Sequence, residues 1–344
     1  MLTMNDIAEL SGCARSTVYA VLNHKSWVSE NTRKKVQKVI AEHQWTPDRM
    51  AAGLVGGSTN LIALILKDVL NPFNSQIVEG INSVLRPLDY NALLLSTMDE
   101  HSRELEALKV ARSYRVDGMI ITPQQVGVDL SHLWKIKEAG EPCITFGCSP
   151  GIDFSYLDLD EGASTVRIVG YLSELGHRRI GFLKGPDTSL SAKQREDGFR
   201  EAVMMKQLEY RPEYSGKGGA TLKDGFEGAK KLFSLEVPPT ALICYNDLVA
   251  AGAYRAAEES GLSIPGDVSI VGFDDIELAS VFGPPLTTVR QPCFEMGQWM
   301  ARQVIAEIDK KRSGEPVVTE SKQFIGELII RESTAPPRGK KYEN

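Results

Sequence analysis

From residue 61 onward, short apolar runs alternate with stretches of helical periodicity. The runs are LIALILK, ALLLST, GMIIT, CITFG, IGFLKG, ALICYND and VSIVGFDD. Strands that alternate with helices form parallel sheets, and those sheets need helices on both faces. Over about 270 residues, this number of units suits two doubly wound lobes better than one. Asn, Asp, Gly, Ser and Pro gather just after the runs. In open α/β sheets, ligands bind beyond the carboxyl ends of the strands. A cleft between two lobes would be lined by these residues.

The first 45 residues read differently, as three short helices. Thr3 caps the first, and Asp6 completes a capping box. Ile7 and Leu10 give it an apolar edge, and Gly12 permits the tight turn that follows. The stretch GCARSTVYAVLN reads as a second helix. Val18, Val21 and Leu22 form its apolar side, while Arg15, Ser16, Tyr19 and Ala20 face the other way. Ser29 is a good N-cap for the third helix, whose buried stripe is Val36, Val39 and Ile40. In QWTPDRMAAGLVGGSTN, Thr46 and Pro47 start about two helical turns over 48–55, which Gly56 and Gly57 end. So short a helix, weakened further by Gly53, needs a partner to become ordered.

Charge is divided unevenly. The chain carries −6 overall. Residues 1–60 hold seven Lys/Arg against five Asp/Glu, a balance of +2; the remainder holds 32 against 40, a balance of −8. An acidic whole still allows nucleic-acid contact at a basic end. The longest apolar stretch is far short of the roughly 20 residues that span a bilayer. The N-terminus has no pattern of a secretory signal. The five cysteines are scattered and odd in number, which fits a reducing cytoplasm. Two other classes are disfavoured. An enzyme lacks support: no G-x-G-x-x-G follows the first run, no P-loop is present, and the five histidines do not fall in metal spacing. An exported sugar-binding protein would need a signal peptide and would not need residues 1–55.

In sequence order, these motifs resemble the lactose-repressor (LacI) family of bacterial transcription regulators. MNDIAELSGCARSTVYAVLN, with VSENTRKKVQKVIAEHQWTPDRMAAGL, resembles the family's helix-turn-helix and hinge helix. NPFNSQIVEGI, VDGMII, LGHRRIGFLKGP, QREDGF, PTALICYNDLVAAGA, SIPGDVSIVGFDD and PPLTTVRQP resemble its effector-binding core. The resemblance implies three parts: an HTH domain at 1–45, a hinge helix and linker at 46–58, and a periplasmic-binding-protein-like core at 59–344. The core's first lobe is expected at 59–158 and 290–318, and its second at 159–289 and 319–334.

The resemblance implies a sequence-specific DNA-binding regulator, a repressor, without catalytic residues, metal or cofactor. The second helix would enter the major groove. There Arg15 can donate twice to guanine, and Ser16 can reach a base or a phosphate. Thr3, Thr17, Asn23, Ser29, Thr32 and Arg33 are placed for phosphates, and Ser29 serves equally as a cap. Tyr19 and Ala20 stand where the family usually has a serine and an arginine, so Tyr19 is expected at a thymine methyl or a phosphate. Leu54 matches the family's minor-groove wedge, flanked by Arg49 and Ala51.

For the core, the resemblance implies a small-molecule effector, a sugar or sugar derivative, held by Asn71, Phe73, Arg195, Asn246, Asp274 and Gln291. Phe73 either stacks on the ligand or packs the cleft. Of Asp274 and Asp275, one is expected to bind ligand and the other to cap a helix, with Asp274 preferred for the ligand. Asp247 is expected to be structural. Many members carry an Asp-Arg pair where this chain has Gly147 and Cys148, so one charged ligand anchor is missing. A homodimer on a pseudo-palindromic operator is expected, since half-sites mirror a two-fold axis.

Overall fold

The computed structural model describes residues 2–22, 25–45, 58–123, 126–216 and 218–338. The expectations for the hinge, with Arg49, Ala51 and Leu54, and for Asn23 lie outside the described residues. The chain divides into two compact units, Met1–Asn60 and Leu61–Asn344.

The first unit contains α1 (Met4–Ser11), α2 (Arg15–Leu22) and α3 (Glu30–Glu42). Thr3 and Asp6 form the expected capping box, and Gly12 ends α1 at φ +62°, a left-handed conformation that glycine adopts at no steric cost. Ser29 caps α3 by accepting from the Thr32 N–H. Ile7, Val18, Val21, Val28 and Val36 meet in one core. Ala20 is in that core as well, only 2% exposed. This corrects the expectation that it shares the outward face. A residue two beyond Val18 and next to Val21 falls at the edge of a wide apolar stripe, and a methyl group fits there.

The second unit holds two parallel sheets. The first sheet contains β1 (Leu61–Leu66), β2 (Asn91–Ser96), β3 (Gly118–Ile121), β4 (Cys143–Phe146), β5 (Ser155–Leu159) and β11 (Ser321–Phe324), in the order β11-β5-β4-β3-β1-β2. The second contains β6 (Ile180–Leu183), β7 (Ser215–Gly216), β8 (Ala241–Cys244) and β9 (Ser269–Val271), in the order β7-β6-β8-β9. β10 (Thr288–Arg290) and β12 (Glu327–Ile329) form a separate antiparallel ribbon. All seven apolar runs contain a strand.

Helices cover both faces. Along β1, Ile62, Leu64 and Leu66 point into one core while Ala63 and Ile65 point into the other, the period-two alternation of a strand. The first core is closed by α4 (Pro72–Leu85) and α11 (Cys293–Ser313); the second by α5 (His101–Ser113) and α6 (Ser131–Glu138). In the other lobe, α7 (Glu161–Glu174) and α8 (Leu190–Met205) cover one face. α9 (Leu222–Phe233) and α10 (Asp247–Glu259) cover the opposite one.

One lobe boundary is corrected. Residues 319–334 were expected wholly in the second lobe, yet β11 pairs in parallel with β5 at the edge of the first sheet. Its sequence, SKQF, carries no apolar run, because an exposed edge strand needs none. The chain then returns, and Ser333 bonds Ile270 in the second lobe.

The two long helices of the first lobe touch at backbone distance. A Cβ on Gly297 would lie 2.1 Å from the Ile77 carbonyl oxygen, and one on Gly80 would lie 2.1 Å from that of Phe294. We expect Gly297→Ala to force α4 and α11 apart and to destabilise by roughly 1–3 kcal/mol. A lowered urea midpoint at unchanged slope is the measurement; an unchanged midpoint would show that the helices yield freely.

Candidate functional site

The carboxyl ends of both sheets face one cleft of about 160 Å³ in the second unit. The first lobe contributes residues at and just after the ends of its strands, among them Lys67, Asn71, Thr122, Phe146 and Asp158. The second contributes Ser189, Arg195, Tyr245, Asn246 and Asp274. Five of the six expected effector residues line this cleft: Asn71, Phe73, Arg195, Asn246 and Asp274.

Gln291 is the sixth, and it does not line the cleft. It is 3% exposed, and neither amide atom has a hydrogen-bond partner among the described residues. It sits at the crossover after β10, close against Gly326. Its place after TTVR at a crossover position suggested the cleft, but it is buried beside the ribbon of β10 with β12 and is not among the lining residues.

Arg195 is the centre of the cleft's electrostatics. It is 4% exposed and lies on α8. Its Nε and Nη2 donate to the two carboxylate oxygens of Glu161 at 2.8 and 2.9 Å. Its Nη1 donates to the Tyr245 carbonyl. The guanidinium also lies over the Phe273 ring at 3.9 Å and near the Tyr245 ring at 4.9 Å. Burial works against its charge, but Glu161 and Asp274 outweigh burial and raise its pKa. Much of the donor capacity expected for a ligand is therefore already used inside the protein.

Asp274 follows β9 at φ 107°, a conformation that side chains rarely adopt. Its N–H donates to the Val289 carbonyl at 2.9 Å, which holds it there. Such strain persists where surrounding structure enforces it, often at binding sites. Asn71 donates to one carboxylate oxygen at 3.4 Å, and Arg195 Nη2 lies 3.8 Å from the other. Burial pushes its pKa up to about 7, against the pull of Arg195. The neighbouring Asp275 instead pairs with Arg290 and Arg331, at 2.7 and 2.6 Å.

The asparagines serve helix starts. Asn71 caps α4 through the Phe73 N–H, which leaves its amide nitrogen for Asp274. Asn246 caps α10 by accepting from the Val249 N–H, and its nitrogen donates to the Ala220 carbonyl. Asp247 is fully buried, accepts from Thr288 and the Ile276 N–H, and is structural as expected. The Phe73 ring lies 6.4 Å from that of Phe146 and forms an apolar wall. Sequence reasoning missed Glu161 and Asp99. Both follow strands: Asp99 comes after the run ALLLST, and Glu161 comes after SYLDL, a strand whose alternate residues are buried and which carries no continuous apolar run. Asp99 accepts from the Thr188 hydroxyl at 2.8 Å and so links the lobes.

In the first unit, Arg15, Ser16 and Tyr19 are exposed on α2, and Thr17 is half-buried. The Thr3 hydroxyl donates to Asp6 at 2.8 Å. The Ser29 and Thr32 hydroxyls share a 2.8 Å hydrogen bond, and Arg33 donates to the Lys25 carbonyl at 3.0 Å.

Residues 3–48 match the family described as bacterial regulatory proteins, lacI family, and residues 169–334 match a periplasmic binding protein-like domain. The HTH-type transcriptional regulator DegA of Bacillus subtilis is 31% identical over 336 residues, 97% of this chain and 98% of DegA. The chain belongs to the lacI family of bacterial regulatory proteins. Two solved structures align with the regulator over 97% of its length at 28% identity. One is the Lac repressor dimer bound to operator and the anti-inducer ONPF, with TM-score 0.82 and 99% of that chain covered. The other is the transcriptional regulator CelR in complex with cellobiose, with TM-score 0.71 and 100% covered. The regulator thus combines a DNA-binding helix-turn-helix with an effector-binding core.

The raised pKa of Asp274 makes stability depend on pH. Between its unfolded value of 3.8 and its folded value of about 7, the folded state binds more protons. This contribution is complete below the lower value and is lost as pH rises through the upper one. We expect the parent protein to lose more stability than Asp274→Asn between about pH 5 and about pH 8. Urea midpoints measure this; parallel curves would mean that Asp274 titrates in its ordinary range.

Proposed function

We propose that the regulator is a homodimeric cytoplasmic repressor without catalytic activity. It binds a pseudo-palindromic operator and is controlled by a neutral, polyhydroxylated ligand, a sugar, in the cleft. The observation that carries the ligand class is the balance of charge. Asp68, Asp99, Asp158, Glu161 and Asp274 line the cleft against two cations, Lys67 and Arg195. A phosphorylated ligand would meet this excess of carboxylates at close range, whereas sugar hydroxyls can donate to them. Gly147 and Cys148 stand where the family resemblance implies an Asp-Arg pair, so that charged anchor is missing. Phe73 and Phe146 offer an apolar wall for a sugar ring. The relatives point the same way: CelR is solved with cellobiose, and the Lac repressor dimer is solved on its operator.

On DNA, Arg15 reads a guanine, and Ser16 and Tyr19 contact a base edge or a phosphate. Thr3, Thr17, Asn23, Ser29, Thr32 and Arg33 hold phosphates. Arg49, Ala51 and Leu54 enter the minor groove, where Leu54 opens a base step. The ligand changes operator affinity by favouring one arrangement of the lobes.

A thermal-shift screen tests the ligand class. Neutral sugars should include one that raises the melting temperature and alters operator binding in a gel shift. A sugar phosphate that stabilises in place of its neutral parent would overturn the proposal. For the DNA face, Arg15→Ala should weaken operator binding by roughly 1–3 kcal/mol and relax one base pair in each half-site. Selection from a random pool reads this out. Recovery of an unchanged half-site would remove Arg15 from base reading.

A further inference from the structure

The histidines are far apart in sequence, but the fold brings two of them together. His101 begins α5, and His132 lies in the first turn of α6. Glu104 stands three residues after His101, on the same helical face. One ligand atom from each of these residues lies within 4.8 Å of the others. His132 Nε2 is 2.5 Å from Glu104 Oε1, and the two imidazole rings are 5.1 Å apart in an edge-on arrangement. Two imidazoles on one tetrahedral ion, each nitrogen about 2 Å from the metal, have ring centres on the order of 5 Å apart.

The surroundings also call for a partner. His132 is 7% exposed and Glu104 is 1% exposed. Nδ1 of His101 is buried and has no hydrogen-bond partner among the described residues, and Nε2 of His132 points at Glu104. Buried polar atoms without partners are uncommon, and an ion is one of the things that satisfies them. His101 is half-buried, so the cluster has an entry from solvent. None of the three residues lines the cleft.

We propose that His101, Glu104 and His132 form a binding site for a borderline divalent cation, zinc foremost, which clamps the start of α5 to the start of α6. The donor set of two imidazoles and one carboxylate matches that class, and hard cations such as magnesium prefer oxygen. Three protein ligands leave a fourth position for water. Coordinated nitrogen and oxygen atoms lie about 3 Å apart, so the His132–Glu104 pair opens slightly when the ion enters. The clamp begins two residues after Asp99, which links the lobes through Thr188. Occupancy therefore bears on the rim of the cleft.

The test uses untagged full-length protein stripped with a chelator. Zinc titrated calorimetrically should bind with one-to-one stoichiometry, in the micromolar range or tighter, and should raise the melting temperature. Cobalt in its place should give the visible bands of a tetrahedral nitrogen and oxygen site without a thiolate charge-transfer band. His101→Gln should weaken zinc binding more than tenfold. Because His101 is half-buried, that variant carries the test even if His132→Gln fails to fold. No zinc uptake, undiminished uptake in His101→Gln, or a thiolate band placing the ion on cysteine would each overturn the proposal.

Discussion

A guanidinium taken almost wholly out of water must be met by charge, hydrogen bonds and aromatic faces at once. Arg195 meets that condition with Glu161, the Tyr245 carbonyl and the Phe273 ring. These partners come from the start of α7, the end of β8 and the residues after β9. The cation thus gathers three strand-to-helix connections of the second lobe around one point. Removing either Glu161 or Arg195 would leave a buried charge unanswered, which is costlier than the pair is stabilising. The cleft's shape therefore rests on an ion pair whose partners both lie in the cleft wall.

The same surroundings set the titration of Asp274. Burial is the main cause that lifts its pKa to about 7; the pull of Arg195 opposes it, and the repulsion of Glu161 offsets part of that pull. The backbone adds to the arrangement. The bond from Asp274 N–H to Val289 places the carboxyl at the cleft while Asp275 turns away to its two arginines. Adjacent acids thereby take different places: one faces the cleft, and the other ties β10 and the C-terminal segment to the second lobe.

Local features were readable in the sequence and long-range ones were not. Capping boxes and apolar strand runs depend on residues within one turn or one strand, so Thr3, Ser29, Gly12 and all seven runs could be read directly. Ala20 was misplaced because an alanine carries little signal of inside or outside. Gln291 was misplaced because its environment is set by β12, nearly forty residues away. β11 could not be seen, since an exposed edge strand lacks an apolar pattern. Asn246 was read as a ligand residue from its place after β8, but both ends of its amide are engaged by the start of α10 and by Ala220. The His101–His132 cluster depends on helix packing across 31 residues, and no local spacing encodes it.

Among the described residues, Thr188 donates to Asp99 and Asn71 donates to Asp274 across the cleft. Both contacts are polar, and both are made by atoms that a sugar hydroxyl could replace. A ligand that only substitutes for them leaves the balance between open and closed lobes nearly unchanged, because equal affinity for two states shifts nothing. A ligand that keeps them and adds hydroxyl contacts to carboxylates from both lobes stabilises the closed form. The wedge-shaped apolar wall of Phe73 and Phe146 belongs to the first lobe alone, so it contributes affinity in either state. Under the proposed function, control comes from the polar groups that a closed cleft brings together, and Asp274, which accepts from Asn71 across the gap, is placed among them.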